Sequence, residues 1–440
     1  MTAAKTPNKR DKGEGTIYKR KSDGMWCASL DLEPINGKRR RKVVLARTEA
    51  EAKLKLKEVK RKLAKDGDVI TGNMTTAAWL NVWFETIALK KIRPKTAATW
   101  RGLIQNHMIP SIGKVQVAKL TPAHVRKMHA AIMDKGLSST TALQAHRVLT
   151  TALKYALRDK KVTENVATLT DAPKKAKSEL AVLTAMDGVK VIQSVADDRL
   201  GSRWAAALFT GARQGELIGL EIDRIVTLYD EDLGREITCL DLSWQLQRLS
   251  WEHGCGKPTG TEVVKGKDGK PDRIRNTFTC GRVRGADCIK RKLTAPADWE
   301  HRHLRGGLWL SRPKSSAGWR IIPLVEPLKG IIERRMQIAQ AEGNKYGLLW
   351  TDEHGQPLDP KYDNYAWHDI LDAAGVKQAR LHDARHTTAS LLLAAKVPEM
   401  IITKILGHSS YATSKGYMNV DIMQLDSGLS RMSALMPLGE

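Results

Sequence analysis

Hydrophobic and polar positions near the start of the chain alternate loosely, which is the pattern of β-strands. The alternation covers three short segments: 15–20, 25–32 and 38–45. Asp23-Gly24 and Asn36-Gly37 lie between these segments, and both dipeptides favour tight hairpin turns. The pattern therefore predicts a small sheet of three consecutive strands.

A helix is predicted directly after the third strand. Thr48 and Glu51 have the spacing of a capping box, and the helix that they begin should run to about Lys65. The strands and this helix together predict a small N-terminal domain over residues 14–70. Residues 1–13 are polar and basic, and we expect them to form a tail.

Helical periodicity replaces the alternation after residue 73. It covers four segments: 76–89, 95–109, 122–134 and 140–159. Thr121 before Pro122 suits a helix start, and Leu149, Leu153 and Leu157 predict one apolar stripe on the last helix. We therefore expect a helical bundle over residues 73–165.

The rest of the chain predicts a linker and a larger domain. Residues 166–183 contain Pro and a lysine pair, as linkers often do, and mixed helix and strand patterns follow over 184–440. An insert rich in Gly and Lys interrupts this domain near 252–300. The predicted fold class is α+β and mainly α, with a sheet-and-helix domain, a helical bundle and a mixed α/β domain.

The net charge of the chain indicates what kind of partner it binds. The 440 residues include 73 Lys and Arg against 48 Asp and Glu, a net charge of +25, and residues 1–70 carry +10 of it. Such an excess points to a polyanion, first of all nucleic acid. The third strand is the most basic part: Lys38, Arg39, Arg40, Arg41 and Lys42. It suits insertion into a DNA groove, and the less favoured alternative is an edge strand protected by charge.

Several classes of protein are excluded by composition. No apolar run reaches the roughly 18 residues of a membrane span, and residues 1–12 lack the apolar centre of a signal peptide. Five cysteines are an odd number, which argues against a disulfide framework. We expect a cytoplasmic protein with no membrane partner.

Candidate chemistry is concentrated in the last domain. Arg213 lies between two apolar runs, with Glu216 close enough to orient it, although Arg–Glu pairs alone are usually structural. His382 and Arg385 are three residues apart at a predicted helix start. His408 follows, and Tyr417 comes nine residues later. Two Arg, two His and one Tyr make a phosphate site without a set of metal ligands.

The motifs TGARQGEL, LHDARHT and LGHSS, followed by Tyr417, resemble in order and spacing those of the tyrosine recombinase (phage integrase) family. The resemblance covers roughly residues 73–436, and residues 14–65 resemble the arm-type DNA-binding domains of integrases. It implies a site-specific integrase that cuts and rejoins att-type sites through a 3′-phosphotyrosine and a Holliday junction. It also implies that neither ATP nor a catalytic metal is needed.

The resemblance assigns roles to individual residues. Arg213 corresponds to the first catalytic arginine, His382 and Arg385 to the His-x-x-Arg pair, His408 to the second histidine and Tyr417 to the nucleophile. The family also uses a lysine on a β-hairpin, and the pattern at 313–324 assigns Lys314, with Lys290 and Lys292 as upstream competitors. Tyr411 and His386 are interpreted as a packing residue and a structural residue.

The resemblance also implies partners. These are double-stranded DNA with core and arm att sites, three further copies of the chain in a homotetramer on DNA, and a directionality factor as a candidate. It places the protein on the nucleoid of a bacterial host. An amphipathic tail at 421–436 suits packing either against a neighbouring subunit or against its own chain.

The insert departs from the family pattern, because it places Arg213 and Lys314 101 residues apart. Three cysteines and one histidine within it, His253, Cys255, Cys280 and Cys288, are candidate ligands of a structural zinc. They contain no Cys-x-x-Cys pair, so three ordinary reduced cysteines are the alternative.

Two other functions remain open at the level of sequence. A type IB topoisomerase would share the phosphotyrosine chemistry, although it needs no second DNA-reading domain. A non-catalytic DNA-binding regulator could keep the fold, although it would not need the complete set of Arg, Lys, His and Tyr residues.

Overall fold

The computed structural model describes residues 15–35, 38–66, 73–176, 181–231, 234–256, 258–264, 273–313, 319–407 and 422–436. The chain divides into two compact units, Met1–Lys177 and Ser178–Glu440. Within the ranges above, no helix has both the length and the apolar character needed to cross a membrane.

The first unit begins with the predicted three-stranded sheet, in the order β1-β2-β3 and antiparallel throughout. Its elements are β1 (Thr16–Lys19), β2 (Trp26–Ile35), β3 (Lys38–Ala46) and the helix α1 (Glu49–Asp66). The Glu51 N–H donates to Thr48 Oγ1 over 3.2 Å, and the Glu51 carboxylate accepts the Arg47 N–H. These contacts confirm the predicted helix start.

A helical bundle follows, and all four predicted segments are helical. Its helices are α2 (Thr76–Trp83), α3 (Pro94–Leu103), α4 (Ile109–Ile112), α5 (Pro122–Met133) and α6 (Ser139–Arg158). Two π-helical turns, Phe84–Ala88 and Ile104–Met108, extend α2 and join α3 to α4. Val166 and Ala167 are buried in the bundle core, so the bundle continues beyond residue 165.

The predicted stripe on α6 is wrong at one position. Leu149 and Leu153 are fully buried, whereas Leu157 is 42% exposed. A helix turns about 100° per residue, so four residues make one full turn plus about 40°. Two such steps rotate Leu157 by about 80° around the helix axis relative to Leu149, which carries it away from the core.

The second unit mixes helices with small antiparallel sheets. Its helices are α7 (Ala185–Ser194), α8 (Gly201–Thr210), α9 (Gln214–Ile218), α10 (Leu328–Glu342), α11 (Pro360–Ala373), α12 (Leu381–Ala394), α13 (Glu399–Leu406) and α14 (Ile422–Ser433). Its strands are β4 (Ile225–Asp230), β5 (Arg235–Asp241), β6 (Gln245–Arg248), β7 (Gly260–Val264), β8 (Arg273–Thr277), β9 (His301–Arg305), β10 (Leu308–Ser311) and β11 (Ile321–Pro323). Strands β11-β5-β4 and β6-β10-β9 form two sheets, and β7-β8 is a hairpin inside the predicted insert.

Large aromatic side chains fill the core of this unit. Trp204, Phe209 and Trp367 are buried, and the Trp204 and Trp367 rings lie 5.7 Å apart. Arg203 and Asp363 form an ion pair of 2.7 Å with side chains that are 0% and 1% exposed. Helices α8 and α11, which carry these residues, are therefore joined by a buried ion pair and a buried aromatic contact.

The C-terminal helix α14 packs against its own chain. Leu425, Leu429 and Met432 are buried in the core of the second unit. The Ser433 hydroxyl donates to the Glu326 carbonyl over 2.6 Å. Of the two arrangements predicted for this tail, the structure has the intramolecular one.

Candidate active site

Arg213 lies in a tight turn between α8 and α9. Helix α8 ends at Thr210 and is capped by Gly211, whose φ is +58°, a conformation that glycine adopts without strain. A Cβ at Gly211 would lie 2.6 Å from Leu406 Cδ2 and 3.1 Å from Thr388 Cβ. The absence of a side chain therefore lets this turn approach α12 and α13 closely, and Arg213 is the N-cap residue of α9.

Glu216 holds two arginines in place. Its side chain is 1% exposed and accepts the Arg213 N–H and Arg213 Nη1, each over 2.7 Å. Arg320 binds the same carboxylate through Nη1 and Nη2, over 3.0 and 2.8 Å. Burial acts to raise the pKa of Glu216, but the positive charges of Arg320 and Arg213 outweigh it and hold the pKa below its ordinary value.

Three arginines meet at the end of helix α13. The last carbonyls of a helix lack intrahelical partners and carry partial negative charge, so they attract cationic donors. Three successive carbonyls accept one hydrogen bond each: Ile405 from Arg320 Nε, Leu406 from Arg385 Nη2 and Gly407 from Arg213 Nη2. Arg385 Nη1 also donates to the Gly211 carbonyl over 2.8 Å. The structure thus brings Arg213 and Arg385 together at one turn.

Arg385 is the most buried of the three guanidinium groups. It is 4% exposed, whereas the Arg213 side chain is 36% exposed. Burial, and then the charges of Arg213 and Arg320, lower the pKa of Arg385 to about 9. This value is still well above 7, so the site keeps three positive charges against the single charge of Glu216 at neutral pH.

His382 lies one turn before Arg385 on α12 and stays partly accessible. Its ring lies edge-on to the His386 ring, with the centroids 5.5 Å apart. Partial desolvation, together with the charges of Arg385, His386 and Arg213, lowers the pKa of His382. The imidazole is therefore neutral at pH 7, and His386, predicted to be structural, is half-buried beside it.

Three predicted site residues lie outside the described part of the chain: Lys314, His408 and Tyr417. Tyr411, predicted to be a packing residue, lies outside it as well. The described segments end directly beside two of them, at Pro313 and Gly407. Their roles therefore stay predictions.

Arg320 is a site residue that the sequence interpretation missed. It is 9% exposed and contacts both Glu216 and the end of α13. The pattern at 313–324 that assigns Lys314 also includes Arg320, but only the lysine was given a role.

The basic strand β3 is an edge strand of its sheet. Arg41 Nε donates to Asp31 Oδ1 on β2 over 2.8 Å, and both side chains are about half exposed. Lys42 lies opposite Leu30, and the side chains of residues 38–40 are not among those described. The groove-binding and edge-protection interpretations both fit this arrangement.

The four candidate zinc ligands meet in space. One ligand atom from each of His253, Cys255, Cys280 and Cys288 lies within 4.8 Å of the other three. The structure therefore places next to one another all four residues that the sequence singled out in the insert.

Comparisons with known proteins agree with this architecture. Residues 293–423 match the phage integrase family, and residues 75–133 match the phage integrase N-terminal SAM-like domain. The chain is 30% identical over 427 residues to an integrase of Saccharopolyspora erythraea, which covers 93% of each protein. It is 25% identical over 414 residues to an integrase of Streptomyces ambofaciens, covering 92% of each.

A solved structure shares the fold. The Tn1549 transposon integrase, determined in complex with transposon right-end DNA, superposes with a TM-score of 0.53 at 16% identity. The match covers 82% of this chain and all of that one. It confirms the predicted α+β class, with helices grouped around small antiparallel sheets.

Proposed function

This chain belongs to the phage integrase family of tyrosine recombinases, a family of DNA recombinases, and on that premise we propose that it is a site-specific integrase acting on att-type sites. The observation that carries the proposal is the meeting of Arg213 and Arg385 at the turn that leads into His408. Similarity to two proteins named integrase, each along more than 90% of its length, supports the same reaction.

The charge of the site suits a phosphodiester. Three guanidinium groups against the Glu216 carboxylate leave a charge of +2. Arg213 is accessible, so it would bind a non-bridging oxygen of the scissile phosphate first. Arg385 carries five N–H donors and gives two to carbonyls, which leaves donors for the same phosphate. Both arginines would stabilise the charge that develops in the transition state.

In the proposed reaction, one bond to phosphorus forms for each one that breaks, so no external energy source is needed. The Tyr417 oxygen attacks the scissile phosphorus, and the bond from phosphorus to the 5′-oxygen breaks. The tyrosine proton goes to a neighbouring base, and Lys314 gives a proton to the leaving 5′-oxygen. The product is a 3′-phosphotyrosine, which the 5′-hydroxyl of a partner strand then attacks, and a second round resolves the Holliday junction. The phosphodiester energy is conserved, so the reaction needs neither ATP nor a catalytic metal.

The histidines would move protons. His382 is neutral at pH 7 because its pKa is lowered, so its imidazole can accept a proton. It lies one turn from Arg385, close to the phosphate that the arginines would bind. His408 directly follows Gly407, whose carbonyl accepts a hydrogen bond from Arg213, and this adjacency in sequence supports a role for His408 beside the same phosphate.

The assembly proposed for the reaction is a homotetramer on two duplexes. The unit at 178–440 would cut the core sites, the helical bundle at 73–165 would bind them, and the N-terminal domain at 14–70 would bind the arm sites. A directionality factor is proposed as a further partner, and the site of action would be the nucleoid.

A covalent-adduct assay tests the proposal. Full-length protein incubated with pools of nicked DNA duplexes should form a protein–DNA adduct that survives denaturation. Tyr417→Phe should bind DNA normally and form no adduct, because only the nucleophilic hydroxyl is removed. The matched variant Tyr411→Phe should remain active, and adducts from Tyr417→Phe would disprove the assignment of the nucleophile.

A second assay separates the integrase from a topoisomerase. The integrase should exchange strands between two plasmid-borne sites. A topoisomerase would relax supercoiled plasmid without site preference and would give no exchange between sites.

A further inference from the structure

We propose that His253, Cys255, Cys280 and Cys288 bind one structural Zn²⁺ ion, which fastens the base of the β7-β8 hairpin. Cysteine sulfurs and a histidine nitrogen are the ligands that zinc prefers, and four protein ligands leave no position for a reacting water. The proposal concerns the stability of the insert, and its test does not depend on the recombinase reaction.

The distances within the cluster fit a tetrahedral site. His253 Nδ1 lies 3.4 Å from the Cys280 sulfur and 3.9 Å from the Cys255 sulfur. With ordinary zinc bond lengths, a nitrogen and a sulfur in a tetrahedral site are about 3.6 Å apart. All four ligand atoms lie within 4.8 Å of one another, so one ion reaches them with small shifts of the side chains.

The surroundings hold the ligands in position. The His253 ring stacks on Phe278 with centroids 3.6 Å apart, and its Nδ1 points to the two thiols. Cys288 is 2% exposed, whereas Cys255 and Cys280 are half-buried. The Thr279 hydroxyl donates to the Cys255 carbonyl over 3.1 Å. The histidine and the thiols are thus gathered by packing and hydrogen bonds outside the ligand set.

The ligands come from both sides of the hairpin. His253 and Cys255 precede β7, and Cys280 and Cys288 follow β8. An ion bound by all four would close the loop between Cys255 and Cys280, which are 25 positions apart. Two close backbone contacts lie beside this point: a Cβ on Gly254 would lie 1.7 Å from the Lys290 carbonyl oxygen, and the backbones of Glu252 and Lys292 pair.

The insert has little apolar core of its own, which is why a metal would matter. Next to the cluster, only a satellite group of buried side chains is found among the described residues: Leu249, Trp299 and Trp309. Residues 253–292 carry eleven Lys and Arg against four Asp and Glu. Small segments with a minor core often depend on a metal for their folded state. Zinc would hold this basic hairpin in one conformation.

Metal analysis of the full-length protein tests the proposal. Protein purified without chelators or added metal should contain about one zinc per chain by mass spectrometry. The double variant Cys280→Ser/Cys288→Ser should lose it, and the matched double variant Cys27→Ser/Cys239→Ser, at buried cysteines outside the cluster, should keep it. Less than about 0.2 zinc per chain in the unaltered protein would overturn the proposal.

A second measurement covers the case in which the double variant does not fold. In the unaltered protein, thiol alkylation followed by peptide mapping should show Cys255, Cys280 and Cys288 protected together, and a chelator should expose all three. Alkylation of these thiols at the same rate with and without chelator, or a disulfide between Cys255 and Cys280, would contradict the proposal. Activity is not needed for either readout, so failure of the zinc proposal leaves the integrase proposal intact.

Discussion

At the scale of single residues, the active-site arrangement depends on Glu216. It is the one carboxylate among the described groups that touches both Arg213 and Arg320, and it is almost completely buried. Removing its charge would leave a buried guanidinium uncompensated, which typically costs about 3–5 kcal/mol. We expect Glu216→Gln to lower the melting temperature clearly and to slow adduct formation on the order of 10²-fold.

The control for this prediction is a glutamate of the same chain whose side chain is exposed to solvent. Glu353 is 83% exposed, so Glu353→Gln should change neither the melting temperature nor the adduct rate. Thermal unfolding followed by circular dichroism and a denaturing gel of the adduct measure the two effects. A Glu216→Gln protein as stable as the unaltered chain would contradict the anchoring role.

The protonation of His382 gives a second prediction at this scale. Desolvation and the charges around it lower its pKa, so its imidazole should titrate below the ordinary value of about 6.5. Arg213→Gln removes one of these charges and should move the midpoint upward, although desolvation remains. The measurement is an NMR titration of the imidazole signals, assigned by their loss in His382→Gln. A midpoint above 6.5 in the unaltered protein would refute the prediction.

The sequence identified the residues that carry the chemistry of the site, but not how these residues are arranged relative to one another. The spacing of His382 and Arg385 within one helical turn is local, so it can be read from the chain. The contacts of Arg213 with the Gly407 carbonyl and of Arg320 with Glu216 join residues 194 and 104 positions apart. Such contacts depend on how helices and sheets pack, and no local pattern encodes them.

At the scale of elements, a buried histidine pair joins α5 and α6. His129 Nε2 and His146 Nδ1 lie 3.2 Å apart, and both residues are buried. Desolvation, with a contribution from His146, lowers the pKa of His129 to about 4, and desolvation also lowers the pKa of His146. The folded bundle therefore binds fewer protons than the unfolded chain between pH 6.5 and 4, and its stability falls as the pH drops through that window.

The change in the pKa of His129 from 6.5 to about 4 makes this loss roughly 3 kcal/mol, and the loss is complete only below pH 4. Thermal melts of the full-length protein at pH 7, 5.5 and 4 measure it. His129→Gln should reduce the pH dependence, because the titrating group is gone, and His354→Gln at an exposed position should not. An equal pH dependence in His129→Gln would show that the pair does not control acid stability.

The basic strand β3 carries a prediction about DNA. Neutralising Arg39, Arg40 and Arg41 should weaken binding to arm-site duplexes and flatten its salt dependence. Each lost phosphate contact lowers the log–log slope by about 0.9. Cleavage of a core-site duplex should continue, because the proposed catalytic residues lie in the other unit.

Fluorescence anisotropy at several salt concentrations gives the slope. Neutralising Lys329 and Arg334 on α10 serves as the matched control and should leave the slope on arm DNA unchanged. If the β3 variant keeps the original slope, the strand is an edge protected by charge rather than a DNA-binding element.

Most element boundaries could be predicted because their signals are local. Asp23-Gly24 lies between β1 and β2, Thr48 caps α1, and Thr121 before Pro122 begins α5. The two π-helical turns, Phe84–Ala88 and Ile104–Met108, were not predicted, since a five-residue hydrogen-bond repeat has no distinct apolar period over so short a length. The four zinc candidates lacked a recognised spacing, and only the folded insert brings them together.

At the scale of the whole molecule, the two helices that flank residues 408–421 are both anchored in the second unit. Helix α13 ends at the arginine cluster, and α14 is buried through Leu425 and Leu429 in the core of the same unit. Residues 408–421, which include His408 and Tyr417, connect these two anchored helices. The segment that contains the proposed nucleophile, Tyr417, therefore begins and ends in the unit that also contains Arg213 and Arg385.

The division into Met1–Lys177 and Ser178–Glu440 predicts that the chain tolerates a cut between them. Each buried hydrophobic cluster of the described residues lies inside one unit, so cutting at this point removes none of their packing. With a protease site inserted between Lys177 and Ser178, we expect two folded fragments after cleavage, and residues 178–440 should still form adducts on a core-site duplex. DNA affinity should fall, because the +10 charge of residues 1–70 is lost.

Calorimetry and the adduct gel measure the outcome, with an insertion inside α10, after the buried Ile332, as the destabilised control. Unfolding of either fragment on cutting at 177 would refute the independence of the two units.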